Sequence, residues 1–369
     1  MVSVARKNMF QEKTRLLISV TGVAFALLLV LALEGLVAGA MEQITAYINN
    51  TGAEVYVAQP GVRTMHMSGS ALPLSKLGEV RRADGVARAE PILYTSSAIT
   101  RGDERSLAYI IGFDPASAVG GPWKLSSGSA VLERGDAVVD ATAAKNLGVG
   151  LGDQVTVLGG QFRVRGLSNE TASFVNSIAF VRIDDFAALR GQSATASYIL
   201  VWPAPGSSPQ DVVQRVNAAV TGVSALTRAE FSEEEKSVVR DMSAEIMLIM
   251  NSIGFLIGLA AVGLTIYTAT LAKMQEYGVL KALGAGNGWL YRLVIQQAFV
   301  SVAIGAAISV LLAFALSLVL PLVVPGVMLR VELGAVVKVF AGAAAIAAIA
   351  AVVPIRQVAS LDPVAVFRR

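Results

Sequence analysis

The chain has 369 residues, 54% of them hydrophobic and only 15% charged, with a mean hydropathy of +0.61. Soluble domains carry roughly 25% charge, so this is the composition of a membrane protein. A net charge of +3 without clustered Lys/Arg gives no nucleic-acid footprint, the absence of cysteine excludes disulfide and thiolate metal sites, and a lone His66 excludes a multi-histidine one.

Four stretches are long and apolar enough to cross a bilayer, which takes about 20 helical residues. They are residues 16–40, 246–271, 294–324 and 333–353. The first ends in a cleavage-like "VAGA", but its apolar run is longer than the core of a signal peptide, so it reads as a retained span. Arg6, Lys7, Lys13 and Arg15 precede span one, Lys273, Lys281 and Arg292 lie between spans two and three, and Arg356, Arg368 and Arg369 follow span four. By the positive-inside rule these three places are cytoplasmic, as are both termini, and residues 41–245 are outside. Residues 1–15 read as an amphipathic cytoplasmic helix and 354–369 as a cytoplasmic tail. Glu34 falls late in span one, at the depth of the outer headgroups. Gly254 and Gly258 in span two, and "AGAAAIAAIAA" in span four, make small-residue faces for close packing within a subunit or across a dimer seam.

Residues 41–245 are far too many for a connection between packed helices and form a folded α+β domain. "MEQITAYINN" extends the first span as a helix, and Ser232 with Glu235 three residues later predicts a capping box opening a second stalk helix. Between them "AEVYVAQ", "RSLAYIIGF" and "SYILVWP" alternate as strands, "LSKLGEVRRADGV" reads as a helix, and Val212, Val213, Val216 and Val220 place an apolar stripe on a helix starting at Pro209. A β-rich stretch at 129–183 contains two strands joined by a turn at Gly159–Gly160.

Several motifs fail. "GVGLG" follows a helix and precedes a strand, the reverse of a dinucleotide fingerprint, and no stretch fits G-x-x-x-x-G-K-[ST]. Asn49 and Asn169 open N-x-Thr triplets that matter only in a eukaryotic secretory setting. Met65, His66 and Met67 read as a loop rather than a copper site. No paired carboxylates argue for acid–base catalysis, so the expectation is a non-enzyme with no cofactor or metal in this chain.

The connection at 272–293 is the informative one. "TLAKMQEYGVLKALGA" carries the second helix onward to Gly284, which suits a helix stop, and "NGWLYRLVIQQA" starts the next, with Trp289 and Tyr291 as interfacial anchors. Its apolar side holds Val279, Leu280 and Leu283. Such a cytoplasmic elbow either transmits force from a partner or is a short interfacial helix without one.

"MQEYGVLKALGAGNGWLYRLVIQQA" resembles the signature of the FtsX-like permease domain, through Glu276, Gly278, Lys281, Ala282, Leu283, Gly284 and Ala285. The N-terminal stretch, the segment "SAVLERGDAVVDATAAKNLGVGLGDQVTVLGGQFRVRGL" and the tail "ASLDPVAVFRR" are similar to the MacB group. The resemblance spans nearly the whole chain. It implies a permease subunit of a type VII ABC transporter in the inner or plasma membrane: four transmembrane helices and an α+β extracytoplasmic domain, a MacB-like periplasmic core with a β-rich insert. Its partners would be a second permease copy, an ABC ATPase dimer that binds ATP and Mg, and a membrane-fusion adaptor. MacB carries its ATPase at the N-terminus, where about fifteen residues precede span one here. A separate ATPase and kinship with stand-alone DevC-like or LolC-like permeases are therefore expected. The coupling residues would be Met274, Glu276, Tyr277, Gly278, Lys281, Ala282, Leu283 and Gly284. The implied work is mechanotransmission, driving export of a hydrophobic or amphipathic substrate. The alternatives are an FtsX-like activator of a cell-wall hydrolase and a membrane receptor without an ATPase.

Overall fold

The computed structural model describes residues 13–117, 119–173, 176–324 and 326–360. Most of the expected N-terminal helix and the tail motif lie outside them. The chain divides into a helical unit (1–38, 243–323 and 329–369) and an inserted unit (39–242 with 324–328).

Helix α1, Lys13–Ile44, contains the first apolar stretch. It does not run on through "MEQITAYINN". Thr45 turns its hydroxyl back to the carbonyls of Met41 and Glu42, at 2.9 and 3.2 Å, and the chain breaks before a short α2, Ala46–Asn50. Such backward bonding by threonine competes with the helix ladder.

The inserted unit then runs β1 (Val55–Ala58), β2 (Leu72–Pro73), α3 (Ser75–Arg81), β3 (Val86–Arg101), β4 (Glu104–Phe113), β5 (Leu125–Gly128), β6 (Asp136–Asp140) and α4 (Ala141–Asn146). It continues through β7 (Gln154–Val157), β8 (Gly160–Ser168), β9 (Ser177–Arg182), α5 (Ile183–Arg190), β10 (Thr195–Ala196), β11 (Tyr198–Pro203), α6 (Pro209–Ala219) and β12 (Ser224–Thr227). β12, β1, β11 and the first half of β3 form an antiparallel sheet. Alternation decides its two faces. Val55, Val57, Ile199 and Val201 point to one side, where Val80 of α3 and Val212 and Val216 of α6 cover them. Tyr56, Ala58, Tyr198 and Leu200 point to the other, with Tyr47 and Ile48 of α2. Ser208 caps α6 by accepting from the Asp211 amide at 3.1 Å, and Pro209 fits its first turn.

The second half of β3 leaves this sheet and pairs with β4; β4 pairs with β9, β9 with β6, β6 with β8, β8 with β7, and β7 returns to β3 through Ile99↔Val157. Six strands thus close into a small barrel filled by Ile99, Ile110, Val139, Val155, Phe162 and Val181, among others. The barrel extends beyond the β-rich stretch at 129–183, because β4 and half of β3 belong to it. Its β7–β8 hairpin turns on Leu158 and Gly159, at φ 54° and 83°, one residue earlier than the expected glycine pair. Positive φ at both central residues is what a two-residue hairpin of matching twist requires.

Helix α7 spans Arg228–Ala272. Its capping box is Thr227 with Glu230, not Ser232 with Glu235. The Thr227 hydroxyl accepts from the Glu230 amide at 3.2 Å, and the Glu230 carboxylate accepts from the Thr227 amide at 2.9 Å. Ser232 and Glu235 sit within the helix, and both are buried.

In the helical unit α7 is followed by α8 (Met274–Ala282), α9 (Asn287–Val323), α10 (Leu333–Ala350) and α11 (Val352–Ala359). Four helical stretches, Val20–Ile44, Arg228–Ala272, Asn287–Val323 and Leu333–Ala359, are long and apolar enough to cross a membrane. Small residues pack them closely within the subunit. A Cβ on Gly254 would lie 2.7 Å from Val30, one on Gly258 2.9 Å from Ile346, and one on Gly305 2.7 Å from Val23. Glu34 is buried at 8% exposure, and its carboxylate lies 3.7 Å from the Lys338 ammonium of α10. Glu34 thus has an ion-pair partner on another span.

Candidate functional site: the elbow between spans two and three

The elbow is a separate helix. The expected continuation of α7 is interrupted at Lys273, whose backbone (φ −103°, ψ 9°) leaves the helical region, and α8 restarts at Met274. Lys273 is nearly buried there, and its carbonyl accepts from the Tyr277 amide at 2.9 Å. Gly284 ends α8 at φ +93°. The Gly284 amide donates to the Lys281 carbonyl at 3.1 Å and the Ala285 amide to the Leu280 carbonyl at 2.9 Å, the paired bonds of a Schellman stop.

Alpha-helical spacing sorts the eight expected residues onto two faces. Tyr277 and Gly278 are buried, and Met274 and Lys281 are half-buried. Tyr277 belongs to the apolar core formed with Leu290, Leu293 and Val294 of α9 and Val358 of α11, and Leu280 packs against that core. Glu276, Ala282, Leu283 and Gly284 are exposed, as are Gln275 and Val279. Leu283 is 79% exposed. The apolar set Val279, Leu280, Leu283 is therefore divided: Leu280 faces inward, and the other two face outward beside Glu276. Glu276 lies in the first turn of α8, where a carboxylate complements the helix dipole.

Lys281 is not simply a surface cation. Its ammonium donates to the carbonyl of Ala359 at 3.0 Å, at the C-terminal end of α11. A lysine satisfying a last-turn carbonyl is favourable both as a hydrogen bond and toward the negative end of the helix dipole. The elbow is thus fastened to α9 and α11 on one face and bare on the other. Sequence spacing could indicate an amphipathic element, but not this long-range bond.

A second cluster, in the inserted unit, was not anticipated. Glu235 of α7 is fully buried; it accepts from the Met65 amide at 2.6 Å, and its Oε1 lies 2.7 Å from His66 Nδ1. The His66 ring packs edge-on against Tyr109, with centroids 4.3 Å apart, and against Tyr94 at 6.0 Å. Residues 65–67 lie in a loop, and among the described residues there is no group of three His, Cys, Asp or Glu side chains that could hold a metal ion. Burial raises the phenol pKa values of Tyr94 and Tyr198 well above the ordinary range, and the nearby Glu235 carboxylate adds to both.

Four long apolar helices, a large inserted α+β unit and a folded elbow are the architecture of a multi-pass membrane protein. Two family models match the chain: the MacB-like periplasmic core domain over residues 16–219 and the FtsX-like permease C-terminal domain over 248–363. The chain belongs to the MacB/FtsX-type ABC transporter permeases. Among its relatives are an uncharacterized ABC transporter permease of Mycobacterium bovis, 26% identical over all of this chain and 99% of the relative, and one of Mycobacterium tuberculosis, 25% identical at the same coverage. The periplasmic region of MacB from Actinobacillus actinomycetemcomitans aligns at 14% identity and a TM-score of 0.39, covering 50% of this chain and 92% of that one. The extracellular domain of the transporter YknZ from Gram-positive bacteria aligns at 11% identity and a TM-score of 0.38, covering 47% of this chain and all of that one.

Proposed function

We propose that this permease couples a separate ATPase dimer to its extracytoplasmic domain by mechanotransmission, and that the work done is export of a hydrophobic or amphipathic substrate. In this reading the termini and the elbow are cytoplasmic, ATP and Mg are bound by the ATPase, two permease copies form the membrane part, and an adaptor of the membrane-fusion type extends the path outward. The chain itself catalyses nothing.

The observation that carries the reading is the two-faced elbow. Gln275, Glu276, Val279, Ala282 and Leu283 form an exposed stripe, while Tyr277, Leu280 and Lys281 fasten the opposite face to α9 and α11. A partner gripping the stripe would move packed helices rather than a loose loop. Force applied there passes through well-packed side chains, which deform little. Apolar Val279 and Leu283 beside acidic Glu276 match a partner groove that is apolar with a basic rim.

The test is co-purification and ATPase assay with candidate ABC ATPases of the same organism. Glu276→Lys and Leu283→Asp should each weaken assembly and uncouple ATPase stimulation, by tenfold or more for the interface pair together (about 1.4 kcal/mol per tenfold). Unchanged coupling in both would remove the elbow from the mechanism.

A further inference from the structure

A cleft of about 230 Å³ lies wholly within the inserted unit. One wall is apolar, with Ala40 and Ile44 from the end of α1, Tyr47 of α2, Ile178 of β9 and Val239 of α7, while Gln43, Glu170, Thr171, Ser173 and Asn176 also line the cleft. Against that wall His66 and Tyr109 stand together, their rings 4.3 Å apart.

The hydrogen-bonding roles of both follow from their partners. The Glu235 carboxylate takes the Met65 amide and lies against His66 Nδ1, so Nδ1 carries the proton and donates. In the neutral ring Nε2 is then an acceptor. No described residue hydrogen-bonds Nε2. On the other side, Tyr109 Oη accepts from Asn176 Nδ2 at 2.8 Å, and its own proton has no acceptor among the described residues. The cleft therefore presents one acceptor and one donor side by side at an apolar wall.

A carboxylate or an ether can only accept, and an ammonium can only donate. A hydroxyl or a secondary amide does both. We propose that this cleft binds a neutral single-chain amphiphile, its hydroxyl or amide head donating to His66 Nε2 and accepting from Tyr109 Oη, its chain lying against Ile44, Tyr47, Ile178 and Val239. Glu235 is a positioning residue, since it fixes the tautomer through Nδ1. That the bound amphiphile is cargo rests on the export reading. That it binds does not, because binding is measured without the ATPase.

The experiment is photolabelling of the full chain in lipid nanodiscs. Three diazirine-bearing probes share one alkyl chain and end in an N-methyl amide, a carboxylate or a methyl group. The amide probe should label peptides containing Tyr47, Ile178 or Val239, and the unlabelled amide should compete. The carboxylate probe should label these peptides roughly three- to tenfold less, as expected for one lost hydrogen bond, and the methyl probe, which loses both bonds, less still. Tyr109→Phe, which deletes one oxygen, should reduce the preference for the amide over the methyl probe without removing chain labelling. His66→Phe should abolish the preference for the amide over the carboxylate probe, and Val239→Trp should block all three probes. Equal labelling by the three probes, labelling confined to the apolar spans, or indifference to Val239→Trp would overturn the proposal. Should His66→Phe fail to fold, Tyr109→Phe decides: an unchanged preference overturns it and a reduced one supports it. Failure here would leave ATPase coupling at the elbow standing, and failure of that coupling would leave the labelling result standing.

Discussion

Lys281 of the elbow holds the carbonyl of Ala359 at 3.0 Å, so a motif that reads as a surface signature also secures the end of another helix, α11. Lys281→Met should remove that bond and the charge while keeping the aliphatic stem. A capping contact of this kind is worth about 0.3–1 kcal/mol at an exposed helix end. Hydrogen exchange should accelerate in the peptide covering 352–360, with α10 unchanged.

Gly284 occupies φ +93°, outside the range side chains favour, at the residue that turns the chain out of α8. Gly284→Ala should cost roughly 1–2 kcal/mol through backbone strain. The expected result is faster exchange across 280–286 and weaker ATPase stimulation, with the inserted unit melting normally. Gly286→Ala, two residues on and not constrained to positive φ, should be far milder.

Glu235 is buried and satisfies the Met65 amide and the His66 ring. Glu235→Ala leaves both donors without an acceptor. At about 1–3 kcal/mol for each buried orphan, the inserted unit should lose several kcal/mol and melt well below the unaltered protein. Glu235→Gln keeps an amide oxygen and should fall between the two. Thermal melting followed by near-ultraviolet circular dichroism checks the order.

Burial holds the phenols of Tyr47, Tyr56, Tyr94 and Tyr198 protonated above their ordinary range. The folded-state pKa is raised, so the unfolded chain loses these protons first as the pH rises. Stability from these groups is fully present below about pH 10, the ordinary phenol value, and is lost above it. Absorbance at 295 nm should show a group of tyrosines that ionise only as the inserted unit unfolds. Smooth ionisation near pH 10 with the fold intact would contradict this.

Much of this architecture is legible in the chain because composition and period carry it. Twenty-residue apolar runs announce the spans, valines at 212 and 216 announce the core face of α6, and Gly284 marks the stop of α8. What is not legible depends on distant partners. Barrel closure needs Ile99 to meet Val157, and no local pattern encodes that pairing. Ser232–Glu235 satisfies the capping-box spacing as well as Thr227–Glu230 does; only the strand ending at Thr227 decides between them. The elbow residues are proposed from a motif, but their division into a fastened and a bare face follows from packing on α9 and α11. Lys338, a single cation in an apolar helix, gives no sign in sequence that Glu34 is its partner.

In the proposed mechanism the ATPase grips the bare face of α8. The chain has no cysteine, so single cysteines can be introduced without background. Cysteines at Gln275, Val279 and Leu283 should cross-link to the ATPase in the assembled, ATP-hydrolysing complex, whereas cysteines at Tyr277 and Leu280 should not. Cross-links absent from all three outer positions in an active complex, or formed instead from the inserted unit, would contradict the account.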